Sequence, residues 1–184
     1  MNVLNQIAQL ADLAEDLPLF EQRLQQMAEI LGISLADYPI DHISVRCHQL
    51  TTAHRWCEGL AQCAELISNK SINGRPIYLF ELAQPLNIAG WPVSIIELPF
   101  PKDKVYPQES WEHVEAVIDV EPEHLIEQAS ALLPKPLPHN FSLKISQPKG
   151  DYERLPNPTL AVSDGKITLK YHPFSLKKIV ESEG

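Results

Sequence analysis

Residues 41–47, DHISVRC, alternate in character: His42, Ser44 and Arg46 fall on one side, Ile43, Val45 and Cys47 on the other. A period of two marks a strand with one polar and one apolar face. The pattern returns at WEHVEAVID (111–119), with His113 and Glu115 on one face and Val114, Ala116 and Ile118 on the other. The spacing from His42 to His113 is 71 residues, and a similar series of elements follows each strand.

After the first strand, Thr51 and Thr52 offer a cap for a helix over AHRWCEGLAQCAELI (53–67), in which Trp56, Leu60, Cys63 and Ile67 share a face. Asn73-Gly74 is a hairpin signal ahead of the strand RPIYLFEL (75–82). A loop around Pro85 and Gly90 leads to a further strand, PVSIIEL (92–98). After the second strand, PEHLIEQASALL (122–133) reads as a helix with Pro122 tolerated in its first turn. PKPLPH is a rigid connector, and NFSLKIS (140–146), PTLAVS (158–163) and GKITLKYH (165–172) are strands, the last two joined by a turn at Asp164-Gly165.

The repeat lies in element order rather than in residue identity. One such unit cannot bury its apolar face alone. The expected fold is therefore α+β, with two βαβββ modules (37–101 and 102–175) paired around a cup-shaped cleft as one compact domain. A linker marked by Pro99, Pro101 and Pro107 joins them. Residues 1–36 predict an N-terminal helical pair: VLNQIAQLADLA (3–14), then a helix carrying Phe20, Leu24, Met27 and Leu31, with Asp16 as cap, Pro18 in its first turn and Gly32 at its end. These are packing elements or an interface. Residues 176–184 predict a short C-terminal helix.

Composition bounds the function. Of 184 residues, 44% are hydrophobic and 21% charged, as in ordinary globular proteins. A net charge of −9 argues against non-specific nucleic-acid binding, which needs an excess of Lys and Arg. Neither a secretory signal nor an apolar run long enough to cross a membrane is visible. Cys47, Cys57 and Cys63 form an odd set with no CxxC pair, which suits buried, inert thiols in a reducing, cytoplasmic setting.

Each repeat begins by placing a histidine on a polar strand face, His42 in one and His113 in the other. Glu97 ends an apolar strand, where burying an isolated carboxylate would be costly. Two imidazoles and a carboxylate with open positions suit a divalent transition metal: Zn, Fe, Mn, Ni or Co. Either histidine alone is more often a hydrogen-bonded structural residue; their equivalence across the repeat favours ligands.

The doubled βαβββ order, with ligands on the first and last strands of each half, resembles the vicinal oxygen chelate superfamily of glyoxalase I, extradiol dioxygenases, methylmalonyl-CoA epimerase and fosfomycin- and bleomycin-resistance proteins. More closely, the chain resembles the bacterial YecM family over nearly its whole length. The residues that carry this are DHISVRCH (41–48), INGRPIYLFEL (72–82), GWPVSIIELPFP (90–101), YPQESWEHVE (106–115) and ERLPNPTLAVSDGKITLKYHPFS (153–175). The resemblance implies that His42, His113 and Glu97 are metal ligands. Where the superfamily often has a second glutamate, this chain offers Lys170, with His172 two residues on. Lys170 would bind an anionic substrate or mark a lost cation; His172 is a substitute fourth ligand or a strand-end imidazole. Arg46 would clamp a carboxylate or phosphate, or pair with Glu115 or Asp41. Glu115 and Glu97 are the candidate proton carriers. Tyr78, Arg75 and Glu81 share the hairpin strands, with the side facing the cleft left open. The segment KGDYERLPNP (149–158) is a lid or a plain connection.

The implied function is a metal-dependent isomerase, epimerase or dioxygenase acting on a small oxygenated substrate. The alternative is a small-molecule binding protein using the same cup. Whether the chain is a monomer or a homodimer stays open.

Overall fold

The computed structural model describes residues 2–72, 74–147 and 155–182. Its strands are β1 (Ile40–Arg46), β2 (Ala64–Ser68), β3 (Ser71–Ile72), β4 (Arg75–Ile88), β5 (Trp91–Pro99), β6 (Ser110–Val117), β7 (Ser142–Ser146), β8 (Thr159–Ser163) and β9 (Thr168–His172). Its α-helices are α1 (Ala11–Leu31), α2 (Leu50–Leu60), α3 (Leu125–Ala131) and α4 (Leu176–Ser182). The main path through the sheet runs β2-β4-β5-β1-β6-β9-β8-β7, with the two-residue β3 paired to β4. This is the α+β arrangement of two βαβββ units in one sheet. β1 lies parallel to β5 and β6 parallel to β9, while β1 and β6 meet antiparallel at the centre. Exchanging the halves maps β1 onto β6, β5 onto β9, β4 onto β8 and β2 onto β7. An approximate twofold axis therefore passes between β1 and β6.

The apolar faces of the central strands, including Ile43, Val45 and Val114, are buried together with Trp56 and Leu60 of α2 and Leu125 of α3. The N-terminal segment seals one side of this core. Asn2 caps a 3₁₀ turn at Val3–Gln6, a second 3₁₀ turn spans Ala8–Leu10, and α1 follows. The expected pair of helices is thus a single 21-residue helix entered through two tight turns. Pro18 sits inside it rather than at a second start. The apolar stripe explains why: Leu13, Leu17, Phe20, Leu24, Met27 and Leu31 continue in helical phase across the proline, and all are buried. Each contributes about 1.5–3 kcal/mol on burial, enough together to outweigh a proline penalty of about 3 kcal/mol. Gly32 ends the helix at φ 70, the left-handed cap that its sequence position suggested. The Trp111 indole N–H of β6 donates to the Leu13 carbonyl at 2.8 Å, tying α1 to the centre of the sheet.

Two elements of the first module differ in extent from the expectation. The helix ends at Leu60, so Cys63 and Ile67 leave it, and Ala64–Ser68 pairs with β4 instead. AELIS carries apolar residues that fit either period, and the unpaired edge of β4 decides for strand. β4 is also longer than RPIYLFEL: it continues through Pro85 to Ile88, and Ala89 and Gly90 turn the chain at φ 52 and 88. Pro85 is accommodated because the β4–β5 register shifts between Glu81 and Leu86. Of the hairpin signal Asn73-Gly74, Asn73 lies outside the described residues; Ile72 and Arg75 on either side are paired. In the second module, a 3₁₀ turn at Pro122–His124 precedes α3. Gly165, at φ 93, turns β8 into β9. No helix among the described residues is long and apolar enough to cross a membrane.

Candidate metal centre

The β1–β6 pairing sets the site. His42 stands opposite Glu115 and Ser44 opposite His113, which are the same relation seen from the two halves. The register slips at two points. Asp41 has no counterpart between Ile40 and His42, and Glu112 has none between Trp111 and His113. A β-bulge of this kind re-aims the side chain that it inserts. Here each bulge turns an acid onto the imidazole that follows it. Asp41 Oδ2 lies 2.9 Å from His42 Nδ1, and Glu112 Oε2 makes the matching short contact to His113 Nδ1. With both Nδ1 atoms fixed by carboxylates, both Nε2 atoms are left for other work. A metal-binding histidine is held in this way, because a carboxylate on the far nitrogen sets the tautomer and raises ligand basicity.

Both rings are buried, and their centroids are 6.2 Å apart. His42 Nε2 is 2.8 Å from Glu115 Oε2, and His113 Nε2 is 3.6 Å from Glu97 Oε1 and 3.9 Å from Glu115 Oε2. Yet among the described residues neither Nε2 makes a well-aligned hydrogen bond, although His42 Nε2 is in close ion-pair contact with Glu115. His42, His113 and Glu115 each bring one donor atom within 4.8 Å of the others, a grouping that suits a shared cation. The Ser44 hydroxyl donates to Glu97 Oε1 at 2.8 Å and steadies that carboxylate beside His113. Buried, unpartnered imidazole nitrogens next to carboxylates are the feature a divalent metal would satisfy, and the donor set fits one.

The second shell is anchored in turn. Glu112 accepts from Thr168 Oγ1 at 3.1 Å and lies 3.3 Å from Arg46 Nε. The arginine thus pairs with Glu112 rather than with Glu115 or Asp41, and it stacks 4.2 Å above the Tyr106 ring. Asp41 Oδ2 also accepts the Leu176 N–H at the start of α4, at 2.8 Å. His172 is fully buried between Asp41 Oδ2 and Glu115 Oε1, 3.6 Å from each, and among the described residues neither ring nitrogen has a closer hydrogen-bond partner. Asp41, His42 and His172 form a second grouping of donor atoms. Its shared oxygen, Asp41 Oδ2, already meets His42 Nδ1 and the Leu176 N–H, so this grouping is better suited to support than to coordination.

The charges follow from this packing. Burial alone would raise the carboxyls, but the neighbouring imidazoles and hydrogen bonds hold Asp41 and Glu112 far below the usual carboxylate range. Glu115 is likewise lowered against its burial by His172 and His42, and Glu97 by His42 and His113. Burial pulls His42 down, yet the charge of Glu115 and the hydrogen bond that His42 donates to Asp41 lift it to about 10. His113 goes the other way, lowered by burial and then by the charge of Lys170. The two histidines are equivalent by symmetry and differ because Glu115 stands across from His42, where Ser44 stands across from His113, and because the Lys170 charge acts on His113.

Register puts Lys170 beside Glu115, just as Glu97 stands beside Ser44. It therefore occupies the place of the missing second glutamate. Glu97, Glu115 and Lys170 face a cavity of about 350 Å³ that both halves line, together with Arg46, Arg75 and Asn157. Of the hairpin candidates, Arg75 reaches this cavity. Tyr78 stacks on Phe100 at 4.7 Å, and Glu81 pairs with Lys177 at 3.2 Å. The proposed lid, 149–158, falls mostly on residues 148–154, which lie outside the described residues.

Sequence reasoning missed Asp41 and Glu112. The signal was present as an acid-histidine dipeptide in each repeat, Asp41-His42 and Glu112-His113. Strict alternation would turn each acid away from its histidine, so only the bulges reveal the contact.

The family model described as YecM protein matches residues 9–183 of this chain. Protein YecM of Escherichia coli (strain K12) is 52% identical over 180 residues, covering 96% of this chain and 95% of that protein. A Haemophilus influenzae protein (strain ATCC 51907 / DSM 11121 / KW20 / Rd), described as uncharacterised, is 40% identical over 176 residues, covering 92% of each. A solved structure described as Structural Genomics, Protein EC4020 superposes with a TM-score of 0.92 at 47% identity, covering 100% of this chain and 98% of that one. The chain belongs to the YecM family.

Proposed function

We propose that this chain binds one divalent transition metal between β1 and β6, through His42, His113 and Glu97, with Glu115 beside them as proton carrier, and uses the cleft above it to isomerise or epimerise a small oxygenated molecule. One observation carries the proposal: among the described residues, two buried Nε2 atoms lie against carboxylates without a well-aligned hydrogen bond, while a carboxylate fixes each opposite Nδ1. When bound, the metal would act as a Lewis acid, stabilising negative charge on a substrate oxygen. The proton transfer belongs to the chain. Glu115 faces the cavity and carries its charge at neutral pH, so it takes a proton from the substrate carbon and returns it to the neighbouring carbon or the opposite face. Glu97, fixed by Ser44, stays in place. This chemistry needs no oxidant, which ranks it above dioxygenation.

Lys170 supports a second reading, a binding cup without turnover, because an ammonium replaces one acidic ligand. Metal analysis of the purified chain tests the site. About one equivalent of Zn, Fe, Mn, Ni or Co is expected, and it should disappear in the His42→Ala and His113→Ala variants. Failure of the wild-type chain to take up any of these ions, even when supplied in excess, would end both the metal proposal and the isomerase reading. Proton exchange between substrate and deuterated water, present in the wild-type chain and absent in Glu115→Gln, separates catalysis from sequestration.

A further inference from the structure

We infer that the mouth of the cavity is a subsite for a dianionic phosphate group, so that the small molecule is a phosphate monoester or phosphonate with its other oxygens directed at the floor. This rests on the proposal that the cleft is the substrate cup, and it adds the class of substrate.

The chain as a whole is acidic, with 24 Asp and Glu against 15 Lys and Arg. The cavity reverses that balance. Arg46, Arg75, Lys102, Lys144 and Lys170 line it, against Glu97 and Glu115. Both acids are turned toward the histidines of the floor, and Arg46 is engaged by Glu112. Arg75, Lys144 and Lys170 remain, and none of them has a carboxylate within 4.0 Å among the described residues. The Lys170 charge is felt by Glu97, Glu112 and Glu115, whereas Arg75 and Lys144 are less compensated; cations gathered around a concavity repel one another, an arrangement that an anion relieves.

The groups are also positioned for a common target. Arg75 is half-buried, and among the described residues its Nε has no hydrogen-bond partner and Nη1 makes a long 3.4 Å contact to the Tyr106 hydroxyl. Lys144 and Lys170 flank Ala161 in one row across β7, β8 and β9, and the small alanine leaves room between them. Asn157, 5% exposed, lines the same space, and among the described residues its Oδ1 has no partner, leaving it to accept from a substrate hydroxyl. The cations come from β4 of one module and β7 and β9 of the other, so a single ligand would span the axis. A carboxylate offers one charge and two in-plane oxygens, which one arginine satisfies. A phosphate offers two charges and oxygens in several directions, which matches donors arriving from three strands.

Calorimetric titration of the full chain with inorganic phosphate, succinate and glycerol tests this, before and after loading with zinc. Phosphate is expected to bind and the other two not, with affinity falling as sodium chloride is added. Arg75→Gln and Lys144→Gln should each weaken phosphate binding about tenfold, the value of one charge-assisted hydrogen bond. Lys144 is exposed on an edge strand, so its loss leaves folding intact and keeps the test decisive. Equal phosphate affinity in both variants and the wild-type chain overturns the subsite. Succinate binding as tightly as phosphate overturns the phosphate class in favour of dicarboxylates. Phosphate binding that needs zinc and vanishes in His42→Ala, without responding to Lys144→Gln, would mean coordination to the metal alone, and also overturns it. Phosphate binding that persists in a chain unable to take up zinc upholds the subsite and fells the metal proposal, so the two failures are distinguishable.

Discussion

Glu112→Gln is the most informative single change, because it touches the site only through its supports. Glu112 contributes three contacts: one oxygen to His113 Nδ1, with Arg46 Nε beside it, and the other to the Thr168 hydroxyl. Gln preserves the shape and one acceptor, so His113 keeps its place. It removes the charge that raises the basicity of the imidazole, and it leaves Arg46 facing a neutral amide. Losing such an outer partner typically weakens metal binding 10–100-fold, or about 1.4–2.7 kcal/mol. The isosteric amide belongs near the lower end, about tenfold, and Glu112→Ala near the upper, about a hundredfold, because the alanine also frees the ring. Competition against a chromophoric chelator measures this for zinc, with circular dichroism to show that the fold is kept. Asp41→Asn should behave like Glu112→Gln at the metal, since the bulges are equivalent. It should also speed amide exchange at Leu176, whose N–H it anchors at 2.8 Å, and Glu112→Gln should not. If both Glu112 variants, natively folded, bind zinc as tightly as the wild-type chain, the bulges are merely structural and the support argument is wrong.

Two further outcomes follow from the geometry. With no metal bound, His42 is protonated well above neutrality, since its folded pKa of about 10 exceeds the ordinary 6.5. Its contribution to stability is therefore full below pH 6.5 and is lost as pH rises through about 10. Metal requires the neutral ring and so displaces this proton. Thermal melts of the chelator-treated chain should lose stability between pH 7 and 10, while zinc affinity should rise with pH and binding should release about one proton. A metal affinity flat from pH 6 to 8 would contradict the His42 assignment. Away from the site, Gly59→Ala should destabilise the chain by about 1–3 kcal/mol in urea denaturation, even though alanine favours helix by about 1 kcal/mol. A Cβ there would lie 2.6 Å from Leu10 Cγ, where α2 closes on the second N-terminal turn; unchanged or increased stability would show that Leu10 moves aside freely.

Much of this fold was legible because one signal appears twice. The alternation at 41–47 and 111–119 identified β1 and β6, and the repeat predicted that the two modules pair about an axis; that these two strands themselves pair is seen only in the structure. The polar sides of those strands brought His42 and His113 together, with Glu97 arriving from the parallel neighbour β5. Local ambiguity hid the rest. AELIS fits helix or strand until the β4 edge claims it. Pro18 reads as a helix start until the buried stripe runs through it. Asp41 and Glu112 fall out of phase with their histidines in any ideal strand, and only the pairing register shows the slip. The common cause is that bulges and edge pairings depend on residues far away in the chain, which periodicity does not report.

The symmetry and its failure do different things. The repeat supplies what a cation needs: two imidazoles related by an axis, each fixed by an acid on the same bulge. Chemistry on a substrate needs the two faces to differ. The acid stands on the last strand of the first module, as Glu97 beside Ser44, but on the first strand of the second, as Glu115 beside Lys170. One half therefore presents a hydroxyl and a steadied carboxylate, the other a carboxylate next to an ammonium. The same exchange pushes the His42 and His113 pKa values in opposite directions. Lys170→Glu would restore the symmetric ligand set and should tighten zinc binding. It should also weaken phosphate binding, because the added acid both ties up Arg75 and Lys144 at long range and removes a cation of its own. A variant that tightened both would show that Lys170 lies outside the anion's reach, and the asymmetry would then need another purpose.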